Sequence, residues 1–260
     1  MIDVFHFSVA EARLFGAWHP PKKMPALGVV AVVCPPFGWE AAPAHVLGRR
    51  IAEELALRGV GTLRFDYFGT GDSEGSSTEA TLDRWLLDIS GAVEEARRRS
   101  GAQQVCLVGI RLGALLGAWH TKADGPVFML CALDPIATGA EQIAETQQLE
   151  RDGWAELQIK PEAHATDEVS LMGIPWSREL LDGLRDLDVR GLASVPAEHV
   201  GIFLDPSQDE ASNPWLGGDG LTGSSQRIDL GTQIVLSFLP GIWTPGRAPR
   251  LVAEWVENLL

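Results

Sequence analysis

The spacing of apolar and polar positions changes character at residue 28. Residues 2–19 alternate apolar and polar positions around a polar break at Glu11-Ala12-Arg13, then run into His19-Pro20-Pro21-Lys22-Lys23. A period of two interrupted by turn residues predicts an antiparallel hairpin followed by a loop. From Gly28 onward the apolar residues come as short unbroken runs, at 28–34, 61–65, 104–108, 127–133, 200–204 and 233–238. Such runs are the pattern of strands buried on both faces, as in a parallel sheet covered by helices. Between the first two runs, Val46, Leu47, Ile51, Leu55 and Leu57 recur at helical spacing within 44–58. Between the next two, Leu82, Trp85, Leu86, Ile89 and Val93 do the same within 82–99. Strand and helix in strict alternation predict an α/β protein with a mostly parallel, doubly wound sheet.

Residues 136–196 break this rhythm. No convincing buried strand occurs there, while 142–158 and 178–187 read as helices, so the segment is expected to be a helical cap inserted into the sheet topology. The Gly- and Ser-rich stretch 213–228 reads as a loop, and a final helix over 250–260 packs through Leu251, Val252, Trp255 and Leu259. At 260 residues and 28.1 kDa the chain fits one α/β domain with a modest insertion.

Charge narrows the function. A formal charge of −14 opposes any long phosphate backbone, which argues against nucleic acid as a partner. Cys34, Cys106 and Cys131 lie inside apolar runs without a CxxC spacing, so they read as reduced core thiols rather than a disulfide frame or a zinc site. The start Met1-Ile2-Asp3-Val4-Phe5-His6 lacks a basic segment leading into an apolar one, and no apolar run reaches the ~18 residues that span a bilayer. A cytoplasmic protein acting on a small-molecule or acyl substrate, with no metal or other cofactor, is the expectation; pairing of two copies is compatible with it.

The chemistry concentrates at the ends of the predicted strands. Val105 to Ala114 is an apolar strand, a Gly109-Ile110-Arg111-Leu112-Gly113 turn and a small-residue helix start. Glycines at 109 and 113 permit a tight strand-to-helix turn that lifts the middle residue over the sheet edge. Arg64-Phe65-Asp66-Tyr67-Phe68-Gly69-Thr70-Gly71-Asp72-Ser73 follows the 61–65 strand, and Cys34-Pro35-Pro36-Phe37-Gly38-Trp39-Glu40 follows the 28–34 strand. With Trp85, Asp88, Asp134-Pro135 and Gly139, these segments resemble, over residues 28–190, the second of the hydrolases associated with bacterial exosortase A systems, a group within the α/β-hydrolase superfamily. The resemblance implies an α/β-hydrolase fold, a bacterial hydrolase acting on an acyl ester, a thioester or a carbohydrate-derived molecule, and oxyanion-hole amides in the loop after the 28–34 strand.

It also exposes what is unusual. Arg111 occupies the position of the nucleophilic serine, and a guanidinium that stays protonated forms no acyl-enzyme. After the 233–238 run, where such a fold carries its general-base histidine, Leu239-Pro240-Gly241-Ile242-Trp243-Thr244-Pro245 has none. Of the histidines, His45 and His164 are the two expected near the strand ends, and His199 precedes its strand. A Ser-His-Asp mechanism is therefore unsupported. The residues left to act as acid, base or charge holder are Arg111, Asp205, Asp209, Glu40 and His45, and those expected to line a substrate pocket are Phe37, Gly38, Trp39, Ile110, Leu112, Trp176 and Trp243. Arg111 has two readings: an anchor for an anionic ligand, or a side chain pinned by an acid such as Glu40 or Asp205. Cys34 reads as buried and inert, Ser73 as a loop-closing residue, and Asp83, Asp88, Glu94 and Glu95 as a solvated helix face. Two functions follow, a hydrolase with a non-serine mechanism or an inactive relative that binds a small molecule or serves as a scaffold.

Overall fold

The computed structural model describes residues 1–24, 26–158, 169–192, 195–206, 213–216, 224–230 and 246–260. The chain opens with β1 (Asp3–Val9) and β2 (Ala12–His19), paired antiparallel with Val9 opposite Ala12. Then β3 (Val29–Cys34), α1 (Ala41–Leu57), β4 (Gly61–Phe65), α2 (Leu82–Ser100), β5 (Gln104–Ile110), α3 (Leu112–Asp124) and β6 (Val127–Leu133) alternate as the pattern predicts. The insertion contributes α4 (Gly139–Glu156), a short antiparallel pair β7 (Val169–Leu171) and β8 (Ile174–Trp176), and α5 (Arg178–Arg185). The sheet resumes with β9 (Ala197–Leu204) and β10 (Ser224–Asp229), and α6 (Ala248–Asn258) follows. Among the described residues the strand order is β1-β2-β4-β3-β5-β6-β9-β10, eight strands that are all parallel from β4 to β10.

Both faces of this sheet are covered, which is why its central strands are apolar throughout. Val29, Ala31 and Val33 of β3 pack with Leu47, Ile51 and Leu55 of α1 and with Val252 and Val256 of α6. The alternate residues Val30, Val32 and Cys34 pack with Trp85 and Ile89 of α2 and Leu112, Leu115 and Leu116 of α3. Helix ends are set by local chemistry. The Thr81 hydroxyl accepts from Arg84 N at 3.1 Å at the start of α2, and Gly101 at φ 72° closes it after three arginines that complement the negative end of the helix. Thr138 and Ser177 cap α4 and α5 in the same way.

Three expectations need correction. Residues 224–229 form a strand in parallel register with β9, Gln226 opposite Gly201, although their composition reads as loop. The insertion carries the β7–β8 pair, too short to register as buried runs. Asp88 is fully buried rather than solvated: its carboxylate accepts from Phe68 N at 2.8 Å and from Arg84 Nε at 2.8 Å, fastening the loop after β4 to α2. The 233–238 run lies outside the described residues. No helix among the described residues is long and apolar enough to cross a membrane.

The glycines of the turn after β5 give a direct test of this packing. A Cβ on Gly113 would lie 2.2 Å from Cys34 O, a backbone atom that cannot swing away, whereas one on Gly117 makes ordinary contacts with Leu130 Cδ1 at 3.5 Å and Leu107 Cδ1 at 3.7 Å. Gly113→Ala is expected to lower unfolding free energy by about 2 kcal/mol or more through overpacking, and Gly117→Ala to raise it by roughly 0.5–1 kcal/mol through helix propensity. Urea unfolding midpoints of the two variants check the contrast.

Candidate functional site

At the C-terminal edge of the sheet the chain turns from β5 into α3 through Arg111, whose backbone sits at φ 54°, ψ −121°. Only a few per cent of non-glycine residues adopt positive φ, and such a conformation costs about 1–3 kcal/mol, so the surroundings must impose it. They do so from both sides. Arg111 N donates to Leu133 O at 3.0 Å, Arg111 O accepts from Ala114 N at 3.0 Å, and the bare Cα atoms of Gly109 and Gly113 let α3 start against β5 and the loop after β3. The result is a strained strand-to-helix turn that presents an arginine at the edge of the sheet.

The guanidinium is held inside the protein. Arg111 Nε lies 3.4 Å from Glu40 Oε1, Nη1 lies 3.3 Å from Asp134 Oδ2, and Nη2 donates to Glu145 Oε2. Glu40 comes from the 3-10 turn Gly38–Glu40 after β3, Asp134 from the end of β6 and Glu145 from α4 of the cap. Arg111 is 12 % exposed and Glu40 2 %, while the Glu145 side chain is 43 % exposed, so the pair with Glu40 is the desolvated one. Gln142 Nε2 donates to Glu40 Oε1 at 3.1 Å, and Thr146 Oγ donates to Gln142 O at 2.8 Å. Burial pushes the Glu40 carboxyl up to about 7 although Arg111 and Gln142 both favour its charged form. For Arg111 burial works downward, and Glu40, Asp134 and Glu145 overturn it and hold its pKa above the ordinary value.

Beside the elbow lies a cavity of about 880 Å³, lined from β3, β4, the start of α1 and the loop after β4. Ile110, immediately before Arg111, reaches it, as do Ile174 and Trp176 of the cap; Arg111 and Glu40 are not among its lining residues. Its inner wall is aromatic. Trp85 stacks on Tyr67 with centroids 4.8 Å apart, and Phe37 lies 4.6 Å from Trp176 and 6.1 Å from Trp85. The polar part consists of His45 and Arg49 of α1, Arg64 of β4, and Asp66 and Asp72 of the following loop. Burial, followed by the Arg64 charge, lowers the His45 pKa.

The residues singled out from the sequence separate into groups. Gly38, His45, Ile110 and Trp176 line the cavity. Phe37 is buried beneath Trp176, Leu112 is a core side chain at the start of α3, and Trp39 is half-buried next to Glu40. Arg111 and Glu40 meet in the ion-pair cluster, and Asp205 follows the last residue of β9. Asp209, His164 and Trp243 lie outside the described residues. Sequence reasoning missed Glu145 and Gln142, which only the docking of α4 brings to the elbow, and Arg64 and Asp66, which stood in a recognised motif but read as loop framework.

Cys34 and Ser73, the two nucleophile types singled out from the sequence, are engaged elsewhere. Burial pushes the Cys34 thiol up to about 12, leaving it protonated and inert. Ser73 Oγ donates to Asp66 O at 2.6 Å and accepts from Phe15 N at 2.9 Å, closing the loop onto the N-terminal hairpin.

The chain shares the α/β-hydrolase fold of solved enzymes. Est1E from Butyrivibrio proteoclasticus, solved with ferulic acid bound, superimposes with a TM-score of 0.68 at 17 % identity, covering 98 % of each chain. Alpha/beta hydrolase domain-containing protein 10 from mouse gives a TM-score of 0.57 at 14 % identity, covering 99 % of this chain and 98 % of that one. In sequence, the human mitochondrial palmitoyl-protein thioesterase ABHD10 is 32 % identical over 96 residues, 36 % of this chain and 28 % of the human protein, so the match spans little more than a quarter of that relative. No family model matches the chain.

The buried carboxyl of Glu40 dictates a pH dependence. Its pKa is raised from 4.5 to about 7 on folding; between those values the folded state binds the proton and the unfolded state does not, so this residue's contribution to stability falls as pH rises through that window. The difference in unfolding free energy between the unmodified protein and Glu40→Gln is expected to shift by about 3 kcal/mol at most from pH 4.5 to 7. Paired chemical denaturation series across that range check both sign and size.

Proposed function

We propose that this protein binds a small acyl or carbohydrate-derived molecule in the cavity beside its elbow and forms no acyl-enzyme. The observation that carries this reading is the state of Arg111. The residue at the nucleophile position is non-nucleophilic and is consumed in ion pairs with Glu40, Asp134 and Glu145. A guanidinium placed to polarise a substrate would face the cavity, whereas this one is bound to carboxylates and lies away from the lining. The segment after β10, residues 230–247, contains no histidine, so even a serine at the elbow would lack the usual base. What the fold retains is a concave, largely apolar space of the size that small-molecule sites occupy. The ferulic acid bound to Est1E and the palmitoyl-protein thioesterase activity named for ABHD10 belong to those proteins, and both support an acyl or aryl-acyl ligand here.

A second reading, hydrolysis or transfer by a non-serine mechanism, draws on Glu40. A carboxyl held near neutral pH is suited to general acid–base catalysis, and its Oε2 is buried without a hydrogen-bond partner among the described residues. Against it stands the distance of chemistry: Glu40 is not among the residues lining the cavity, so a substrate there meets His45 and Asp66 before Glu40.

The two readings separate in one set of measurements. The purified protein is expected to turn over p-nitrophenyl esters and acyl thioesters no faster than a protein-free blank, and Arg111→Ser to remain inert. It is expected to bind the uncharged fluorophore N-phenyl-1-naphthylamine with micromolar affinity, and Ala42→Trp, which projects a ring into the cavity from the exposed side of α1, to weaken that binding at least tenfold. Ester turnover that disappears in Glu40→Gln would establish the enzymatic reading instead.

A further inference from the structure

We propose that the ligand of this cavity is an amphipathic monocarboxylate, its carboxylate held by Arg64 with His45 and Arg49 and its apolar body laid against the Trp85–Trp176 wall. This rests on the binding reading above and specifies its ligand class. Arg64 is the decisive residue. It extends from β4 beneath α1, with its Cδ 3.7 Å from where a Cβ on Gly48 would stand, and is half-buried at the lining of the cavity. Its Nε donates to His19 Nε2 at 3.2 Å. To accept that bond His19 must be neutral, and burial together with the Arg64 charge lowers its pKa to about 4. The partner of Arg64 is therefore an uncharged ring. Among the described residues no carboxylate forms an ion pair with Arg64, and its two terminal nitrogens donate no hydrogen bond. Arg111 has its three carboxylates, and Arg58, Arg84 and Arg99 each have at least one; Arg64 is a half-buried charge at the cavity lining on which Asp66 acts only from beyond ion-pair distance.

The groups around it set the kind of anion. Arg49 and His45 lie one helical turn apart on the same face of α1 and both line the cavity. Arg49 is already paired with Glu53 at 2.9 Å, so it adds a screened charge at the mouth. The nearest acid, Asp66, is engaged by its own loop: its Oδ2 accepts from Asp72 N at 3.1 Å, and burial raises its pKa. Arg49 and Arg64 equal Asp66 and Asp72 in number, so the preference for an anion comes from where the charges sit: Arg64 is half-buried, whereas Asp72 is exposed and burial favours the neutral form of Asp66. One negative charge is met by Arg64, and a dianion such as a phosphate monoester brings a second that no buried cation meets. The planar fork of arginine matches a carboxylate, and a charged hydrogen bond at a partly desolvated site is stronger than one at the surface. The rest of the lining, with Phe15, Val33, Pro35, Tyr67, Trp85 and Trp176, offers no further charge, so the remainder of the ligand is apolar, aliphatic or aryl.

The test compares 4-phenylbutanoate with 4-phenylbutan-1-ol, which share an apolar body and differ in charge, by isothermal titration calorimetry. The acid is expected to bind at least tenfold more tightly than the alcohol. Arg64→Gln is expected to remove that preference while leaving the alcohol's affinity unchanged, Arg64→Lys to retain part of it, and His45→Gln to reduce it a few-fold. Phenyl phosphate is expected to bind more weakly than the acid. Since loss of the His19 bond can cost stability, thermal melts accompany Arg64→Gln; if that variant does not fold, the acid–alcohol comparison and His45→Gln, at an exposed position, decide the matter. Equal affinities for acid and alcohol, unaltered by these substitutions, would overturn the carboxylate assignment and leave the binding reading standing, as would binding of N-phenyl-1-naphthylamine with no binding of the acid. Loss of the naphthylamine signal as well would remove the binding reading itself.

Discussion

An arginine held at positive φ at the top of β5 must have its charge neutralised within the protein, and much of the molecule's upper edge is arranged around that requirement. The backbone strain is met by hydrogen bonds to the ends of β6 and α3 and by two glycines that allow close approach. The charge is met by carboxylates from three separate segments: the turn after β3, the end of β6 and the cap helix α4. The turn thereby supplies a cross-link. A buried ion pair is not by itself a large source of stability, because desolvation offsets most of the attraction, but removing one partner strands the others and is costly. The cluster also ties α4 to the sheet edge, since Glu145 reaches Arg111 and Gln142 reaches Glu40 from that helix.

The cavity and the elbow are adjacent yet chemically distinct. Ile110 belongs to the lining and Arg111 does not, so the turn of the chain at that point separates an apolar, ligand-sized space from a polar cluster packed under the cap. The aromatic stack of Tyr67, Trp85, Phe37 and Trp176 lies at the boundary and links the loop after β4, α2, the loop after β3 and the cap. Asp88 anchors this boundary from below by holding Phe68 N and Arg84 together, and Trp85 Nε1 donates to Phe68 O at 3.1 Å. The shape of the cavity thus depends on a buried polar network at the start of α2 as much as on the side chains that line it.

The sheet was legible because its information is local. Unbroken apolar runs locate β3, β4, β5, β6 and β9 to within a few residues, and Thr81 and Gly101 mark both ends of α2. β10, whose one neighbour among the described residues is β9, was not, because Ser224–Asp229 has a single apolar residue, Ile228, and no run to mark it. Asp88 misled for a related reason: a helix periodicity shows which face is apolar, and it gives no sign that a charged residue beside that face has two partners waiting in a distant loop. At the site the turn glycines and Arg111 were readable from spacing alone, whereas whether Arg111 faces a ligand or is pinned by an acid such as Glu40 or Asp205 stayed open. Glu145, Gln142 and the isolation of Arg64 were not readable, since each depends on segments brought together by tertiary packing.

These electrostatics also explain why the unusual elbow residue need not be the ligand's anchor. A helix start and a guanidinium together attract anions when the guanidinium is unengaged. With Glu40, Asp134 and Glu145 already gathered about Arg111, another anion arriving there would meet three carboxyl groups around one cation, and the field that remains is unfavourable to it. Arg64 presents the reverse balance, a cation beside a neutral histidine with Asp66 turned into its own loop. The upper edge of the sheet therefore carries two arginines in different states, Arg111 paired with three carboxylates and Arg64 hydrogen-bonded to a neutral histidine at the cavity lining, and the place of the proposed anionic ligand follows from that difference rather than from which of the two stands in the more conspicuous motif.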